Sequence, residues 1–450
     1  MTTHASLSKG LPGSALGVLM LCVFTVSMGF GITLPILPFL VERLIGVGGD
    51  AAQVSRVVGL LTGLYTLSLF LFAPVWGKMS DLLGRRLILL IGLIGFSATM
   101  LTFAFFQNLT AVYAERFLSG MFAAAVTPVA SATVGDLALT EQSRGRGLTF
   151  VSLAGISGFL LGPMTGVFVA KSAGRLLPFA EAFGSLAVPL IGTALLAALA
   201  ATCIAIILTG THRPEASTVR ISTDMSTRWL VPKLLALAFI VSAGVGVFEV
   251  GLALRGKQEL GLTQTQIALM FTECSAVMIV VQAIVFSPWI KSESTRWLLS
   301  PALAILAVGL FLVPRATSFK MMLTVIAAVA ASAGILSPIL TYWISAKAGK
   351  AQGAELGWQT AAASLGATAG SVAGGLLFDL PDLPGAAFLL MAALTGLGLL
   401  LAAGLPKLLV THQTTETTGI NKTSLHGLYL NSPEPDSFTN GISPTNRSQT

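Results

Sequence analysis

Twelve times along this 450-residue chain an apolar run appears that is long enough to cross a bilayer as a helix. Each residue of an α-helix rises 1.5 Å, so about 20 apolar residues span the hydrocarbon core. The runs fall at about 14–40, 56–76, 87–106, 109–136, 147–170, 186–209, 230–254, 263–290, 297–314, 320–345, 355–378 and 385–405. Only 10% of the residues are charged, against about 25% in an ordinary soluble domain. That supply cannot cover a water-facing surface, and so apolar a chain cannot remain disordered over most of its length. No run shows the alternation of a β-barrel, so helices must satisfy the backbone in lipid. The first run contains Pro35 and Pro38 and lacks a small-residue cleavage site, and we read it as a retained helix rather than a leader.

The basic residues set the expected direction. If both termini are cytoplasmic, most of the 26 lysines and arginines fall on the inner side, among them Lys78, Arg85, Arg86, Arg144, Arg146, Arg213 and Arg220. The outer connections keep Arg43, Arg56, Lys171, Arg175, Arg255, Lys257, Arg315 and Lys320. An inner excess is what the positive-inside rule requires of a plasma-membrane (inner-membrane) protein with this topology. It accounts for the formal charge of +7 without nucleic acid. The longest internal connection divides the spans six and six. The expected domains are a cytoplasmic segment 1–13, a six-helix bundle 14–209, a linker 210–229, a second bundle 230–405 and a polar, disordered cytoplasmic tail 406–450. Cys22, Cys203 and Cys274 read as small buried hydrophobes, and His4, His212, His412 and His426 lie outside every span. No metal centre, cofactor or catalytic constellation is expected.

The two sets of six repeat. Gly145, Gly158, Gly162 and Gly166 recur as Gly353, Gly366, Gly370 and Gly374, displaced by 208 residues throughout. Phe72-Ala73-Pro74 recurs as Phe286-Ser287-Pro288, displaced by 214. Internal repeats of this kind mark secondary transporters, whose site lies between the repeats.

After the second span the sequence reads Gly77-Lys78-Met79-Ser80-Asp81-Leu82-Leu83-Gly84-Arg85-Arg86. Gly77 and Gly84 suit a tight turn and a close helix approach, and Asp81 suits pairing with a guanidinium. A phosphate-binding loop is excluded, because Gly77-Lys78 is followed by Met79. The segment resembles the G-x-x-x-D-x-x-G-R-R/K loop motif of the major facilitator superfamily at every defining position. Arg116 and Gly120 in the fourth span resemble the R-x-x-x-G element of the same superfamily, and Asp136 closes that span. Gly158, Gly162, Pro163 and Gly166 resemble the fifth-span element of twelve-span drug:proton antiporters, with Val167 in place of a final glycine. The plain alternative for that stripe is helix packing. The segment Met28–Phe39 is similar to the first span of tetracycline-type efflux proteins, but Val26 and Ser27 stand where those often carry an acid.

The resemblance implies the major facilitator fold: an all-α integral membrane protein of twelve transmembrane helices in two pseudo-symmetric six-helix bundles around a central cavity. It also implies that Asp81, Arg85 and Asp136 latch the inner gate and favour the outward-open state. A few charges remain inside the spans. Glu249 in the seventh and Glu273 in the eighth are costly to keep ionised among apolar neighbours, which makes them candidates for carrying a proton or binding substrate. The plain reading of Glu249 is a structural pair with Arg255. Arg116 is expected to face the cavity and tune both carboxylates, Gln282 to contribute a cavity contact, and Glu115 to be interfacial. The function expected is alternating-access, proton-coupled efflux of a small, partly apolar compound by a monomer in the bilayer. The rivals are an uptake symporter or ion carrier on the same fold, and a non-transporting membrane assembly factor.

Overall fold

In the computed structural model, the described residues are 13–46, 50–138, 141–176, 187–208, 230–285, 292–347, 352–380, 383–403 and 405. The expected linker 210–229 and tail 406–450 lie outside them. Among the described residues the chain forms α1 (Gly13–Ile45), α2 (Ala51–Leu83), α3 (Arg85–Phe103) and α4, which is built of Leu109–Ala123 and Val126–Leu137. It continues with α5 (Glu141–Leu176), α6 (Ala187–Ile207), α7 (Leu230–Gln258) and α8 (Gln264–Val285). The last four are α9 (Leu299–Leu312), α10 (Phe319–Lys347), α11 (Gln352–Leu376) and α12 (Ala386–Ala402). Among the described residues ten spans are long and apolar enough to cross a membrane, α9 only with its flanking 3-10 turns; α11 is not among them, and α12 is apolar but shorter.

Helix ends follow the local chemistry. Asp50 Oδ1 accepts from the Ala52 amide ahead of α2, and Asn108 Oδ1 accepts from Ala111 ahead of α4. Gly84 joins α2 to α3 at φ 95°, a conformation that disfavours a side chain. Within the spans Thr25, Thr33, Thr62, Thr133 and Ser275 donate to the carbonyl four residues earlier. Their hydroxyls therefore need no water inside lipid.

The packing repeats with the sequence. In the first half α1 packs on α5, α2 on α4 and α3 on α6; in the second α7 packs on α11, α8 on α10 and α9 on α12. The halves meet through α2 against α11 and α5 against α8. Leu195 and Ile206 on α6, Ile94 on α3, Val308 on α9 and Leu400 on α12 are exposed, Leu400 at 73%. Large apolar side chains on these peripheral helices suit a lipid-facing perimeter. The core between them is filled by Leu19, Leu61, Phe96, Ala197, Leu306 and similar residues.

One expectation changes here. α2 continues to Leu83, so Gly77 and Asp81 lie on a helix and not in a loop. Only Gly84 makes the turn, and nothing stands close to Gly77.

Candidate functional site

Between the halves lies a cavity of about 240 Å³, walled by α1, α5, α7, α8 and α10. Phe30 and Phe159 line it from the first half, and Phe248, Phe271, Met278 and Val329 from the second. Glu249 is the one charged side chain among its described lining residues. Arg255, the partner anticipated for Glu249, is engaged elsewhere. It pairs with Glu259 and donates to the carbonyls of Pro314 (2.8 Å) and Ala316 (2.9 Å), tying the end of α7 to the end of α9. Glu249 therefore faces the cavity without that cation.

Glu273 sits on α8 beside Cys274, which also lines the cavity and lies within electrostatic reach of both carboxylates. One Glu273 carboxylate oxygen, Oε2, is buried with no hydrogen-bond donor among the described residues. Gln282 is half-buried on the same helix, one turn past Met278 and outside the cavity lining.

Arg116 is not in the cavity wall, and Glu115 does not reach the protein surface; both are 2% exposed within the first half. Arg116 Nε and Nη2 donate to the two carboxylate oxygens of Glu115 at 2.6 and 2.8 Å. Its guanidinium lies over the Phe103 ring at 4.5 Å and the Tyr65 ring at 5.7 Å. A buried guanidinium is tolerated only with such a partner, and the adjacent glutamate supplies it.

At the far end of α2 the three residues expected to form a latch are brought together. Arg85 pairs with Asp81 at 2.7 Å and with Asp136 at 2.9 Å, and also donates to Ser80 Oγ. Arg86 caps α6 through the Ala205 carbonyl, and Trp76 Nε1 donates to the Met121 carbonyl at 2.8 Å. All of these bonds lie within the first half. The ion pairs form while α2 and α11 are packed on each other near the other end of α2, at Gly59 and Gly63.

The glycine stripe of α5 is a packing surface. Gly158 abuts the Phe24 carbonyl, and a Cβ on Gly162 would stand 2.7 Å from the Met28 carbonyl; Gly166 faces Ile32. Pro163 lies against Gly31 of α1. The equivalent stripe of α11 meets α7 in the same way, with Gly366 on Phe239, Gly370 on Ala243 and Gly374 on Val247.

The aromatic wall was missed at the level of sequence. Phenylalanine in an apolar run looks the same whether it faces lipid or a cavity. The available signal was position, since Phe30 and Phe159 directly adjoin Gly31 and Gly158 of the packed stripe.

A family model described as Major Facilitator Superfamily matches residues 19–252 and again 234–427. The chain belongs to the major facilitator superfamily. Among proteins similar to this member is multidrug resistance protein 1 of Bacillus subtilis (strain 168). It is 27% identical over 370 residues, covering 81% of this chain and 90% of the relative. Quinolone resistance protein NorA of Staphylococcus aureus is 27% identical over 372 residues, covering 80% and 89%. The crystal structure of the human organic anion transporter MFSD10 (TETRAN) superposes with a TM-score of 0.64 at 19% identity, covering 87% of this chain and 99% of that one. That likeness supports the fold alone. This chain is thus a multi-pass membrane transporter of small molecules and not an enzyme.

Proposed function

We propose that this superfamily member exports a small, partly apolar compound in exchange for protons. It works by alternating access, as a monomer in the plasma membrane with both termini cytoplasmic. The observation that carries the reading is Glu249, the one carboxylate among the described lining residues of a cavity walled mostly by apolar side chains. Such a site suits a ligand with an apolar body, and a carboxylate there can hold either a proton or a positively charged group of the ligand. Competition between the two is enough to couple their movements in opposite directions. The drug-resistance relatives agree in substrate character with this cavity. Glu273, one residue from Cys274 in the lining, is the second proposed proton carrier.

The contacts across the halves place the closed end where α1 and α7 finish, the side expected to be outer. With the proposed orientation, closure there would be that of an inward-facing state. The test is transport into inverted vesicles under an imposed pH gradient. Glu249→Gln and Glu273→Gln should each reduce gradient-driven accumulation at least tenfold with expression and folding unchanged. Undiminished transport in both variants would overturn the coupling assignment, and movement along with the proton would replace export by symport.

A further inference from the structure

We propose that Tyr65 is a positioning residue that sets the substrate preference of the cavity by holding its aromatic wall in place. Tyr65 does not line the cavity and is 4% exposed. Its ring stacks on Phe30 with centroids 5.0 Å apart and planes 15° apart. Phe30 in turn stacks on Phe159 at 5.9 Å and 29°, and those two rings form the first-half wall together with Gly155 and Ile156. Tyr65 also lies under the Arg116 guanidinium at 5.7 Å. Arg116 is itself fixed by its two bonds to Glu115 and by the Phe103 ring. Gly120 of α4 abuts the Tyr65 carbonyl, which pins the backbone as well. The result is a continuous column from a buried ion pair, through Tyr65, to the two rings that face the cavity.

The fold does not require this column. Gly31 sits on the Phe159 carbonyl just as Gly246 sits on the Ala367 carbonyl in the second half. At the positions matching Phe30 and Phe159, 215 and 208 residues on, the second half carries Val245 and Ala367. The same helix packing is therefore achieved without rings, so the aromatic column is an addition to the repeat and not a condition of it. A ring fixed in one orientation offers a flat face to an aromatic ligand at little entropic cost, whereas a free one must be ordered on binding. Removing Tyr65 releases Phe30, and with it the preference for aromatic over aliphatic ligands. The choice of ligand rests on the export reading above; the positioning itself does not.

The test measures binding of two monovalent organic cations, tetraphenylphosphonium and tetrabutylammonium, to the purified full chain. In Tyr65→Leu the Kd for tetraphenylphosphonium should rise about fivefold or more, while that for tetrabutylammonium changes less than twofold. Fivefold corresponds to about 1 kcal/mol. Tyr65→Phe, which keeps the ring, should bind both like the wild type. Phe30→Leu, which alters the wall directly, should show the same selective loss and serves if Tyr65→Leu does not fold. Equal loss for both cations, no loss in Tyr65→Leu, or failure of Tyr65→Phe to restore binding would overturn the proposal. A wild type that binds neither cation would instead overturn the export reading on which the choice of ligand rests.

Discussion

Arg255 and Glu249 stand six residues apart on α7, near enough in sequence to suggest a pair, yet the structure separates their roles. Arg255 is a brace: buried itself, it holds Glu259 and two carbonyls at the end of α9. Replacing it by methionine should cost about 2 kcal/mol, because charged hydrogen bonds are lost and the carbonyls are left unmet. The loss should also depend on pH. Burial, and secondarily Asp379, hold the Glu259 carboxyl above the ordinary glutamate range, while Arg255 pulls it down. A carboxyl raised in this way binds its proton more tightly folded than unfolded. Its contribution therefore falls as pH climbs above the ordinary carboxylate range. Arg255→Met removes the opposing influence, so its melting temperature should drop further below wild type at about pH 8 than at about pH 5. An equal drop at both would disprove the link. The isolated carboxylates were legible in the sequence because charge is rare in apolar runs. The engagement of Arg255 was not, since its partners include main-chain carbonyls of a distant helix that no side-chain pattern reveals.

Helix positions were legible to within several residues, because a bilayer imposes one length and one polarity on every span. The expected 109–136, 186–209 and 230–254 became Leu109–Leu137, Ala187–Ile207 and Leu230–Gln258. The overruns occur where polar residues continue a helix past the apolar run, as from Trp76 to Leu83 on α2. Glycine spacing marked the packed helices but not their partners. Two kinds of contact emerge. Gly158 packs inside the first half, whereas Gly59 packs across the halves, where a Cβ would stand 2.5 Å from Gly375 Cα. Gly158→Ala overpacks a contact that is proposed to persist in every state, so it should lower overall stability by about 1–3 kcal/mol, read as a lower melting temperature. Gly59→Ala opposes only closure of α2 on α11. It should leave the melting temperature nearly unchanged and widen the distance between spin labels at the ends of α1 and α7. If both variants merely melted earlier, the distinction between the two contacts would fail.

For the whole molecule, near-symmetry supplies the scaffold, and the candidate chemistry sits where symmetry is broken. Phe24, Met28 and Ile32 of α1 meet the α5 stripe, and Phe239, Ala243 and Val247, each 215 residues later, meet the α11 stripe. At the same displacement Glu249 replaces Leu34, while Phe30 is replaced by Val245. The carboxylate thus belongs to one half and the stacked Phe30 and Phe159 rings to the other, and the cavity is complete only when both face it. What holds the halves together at the closed end is a polar seam. Lys257 pairs with Glu42, donates to the Pro38 carbonyl at 2.8 Å and lies over the Phe39 ring at 4.9 Å. Gln258 bonds Ser55 and the Ala51 carbonyl, and Thr66 meets Thr368 at 3.0 Å. Glu42 is largely exposed, so its pairing with Lys257 is worth on the order of 1 kcal/mol or less, and the carbonyl bond adds a comparable amount. In the proposed alternating-access cycle these contacts exist only while this end is shut, so each would bias the equilibrium between closed and open by its own free energy. Lys257→Met keeps most of the apolar stem but removes the charge and the donor. It should shift the ratio of closed to open molecules about fivefold toward open, the equivalent of about 1 kcal/mol. Spin-label distances across the seam would read the shift. An unchanged distance distribution would show that the glycine contact between α2 and α11 closes this end without help from the seam.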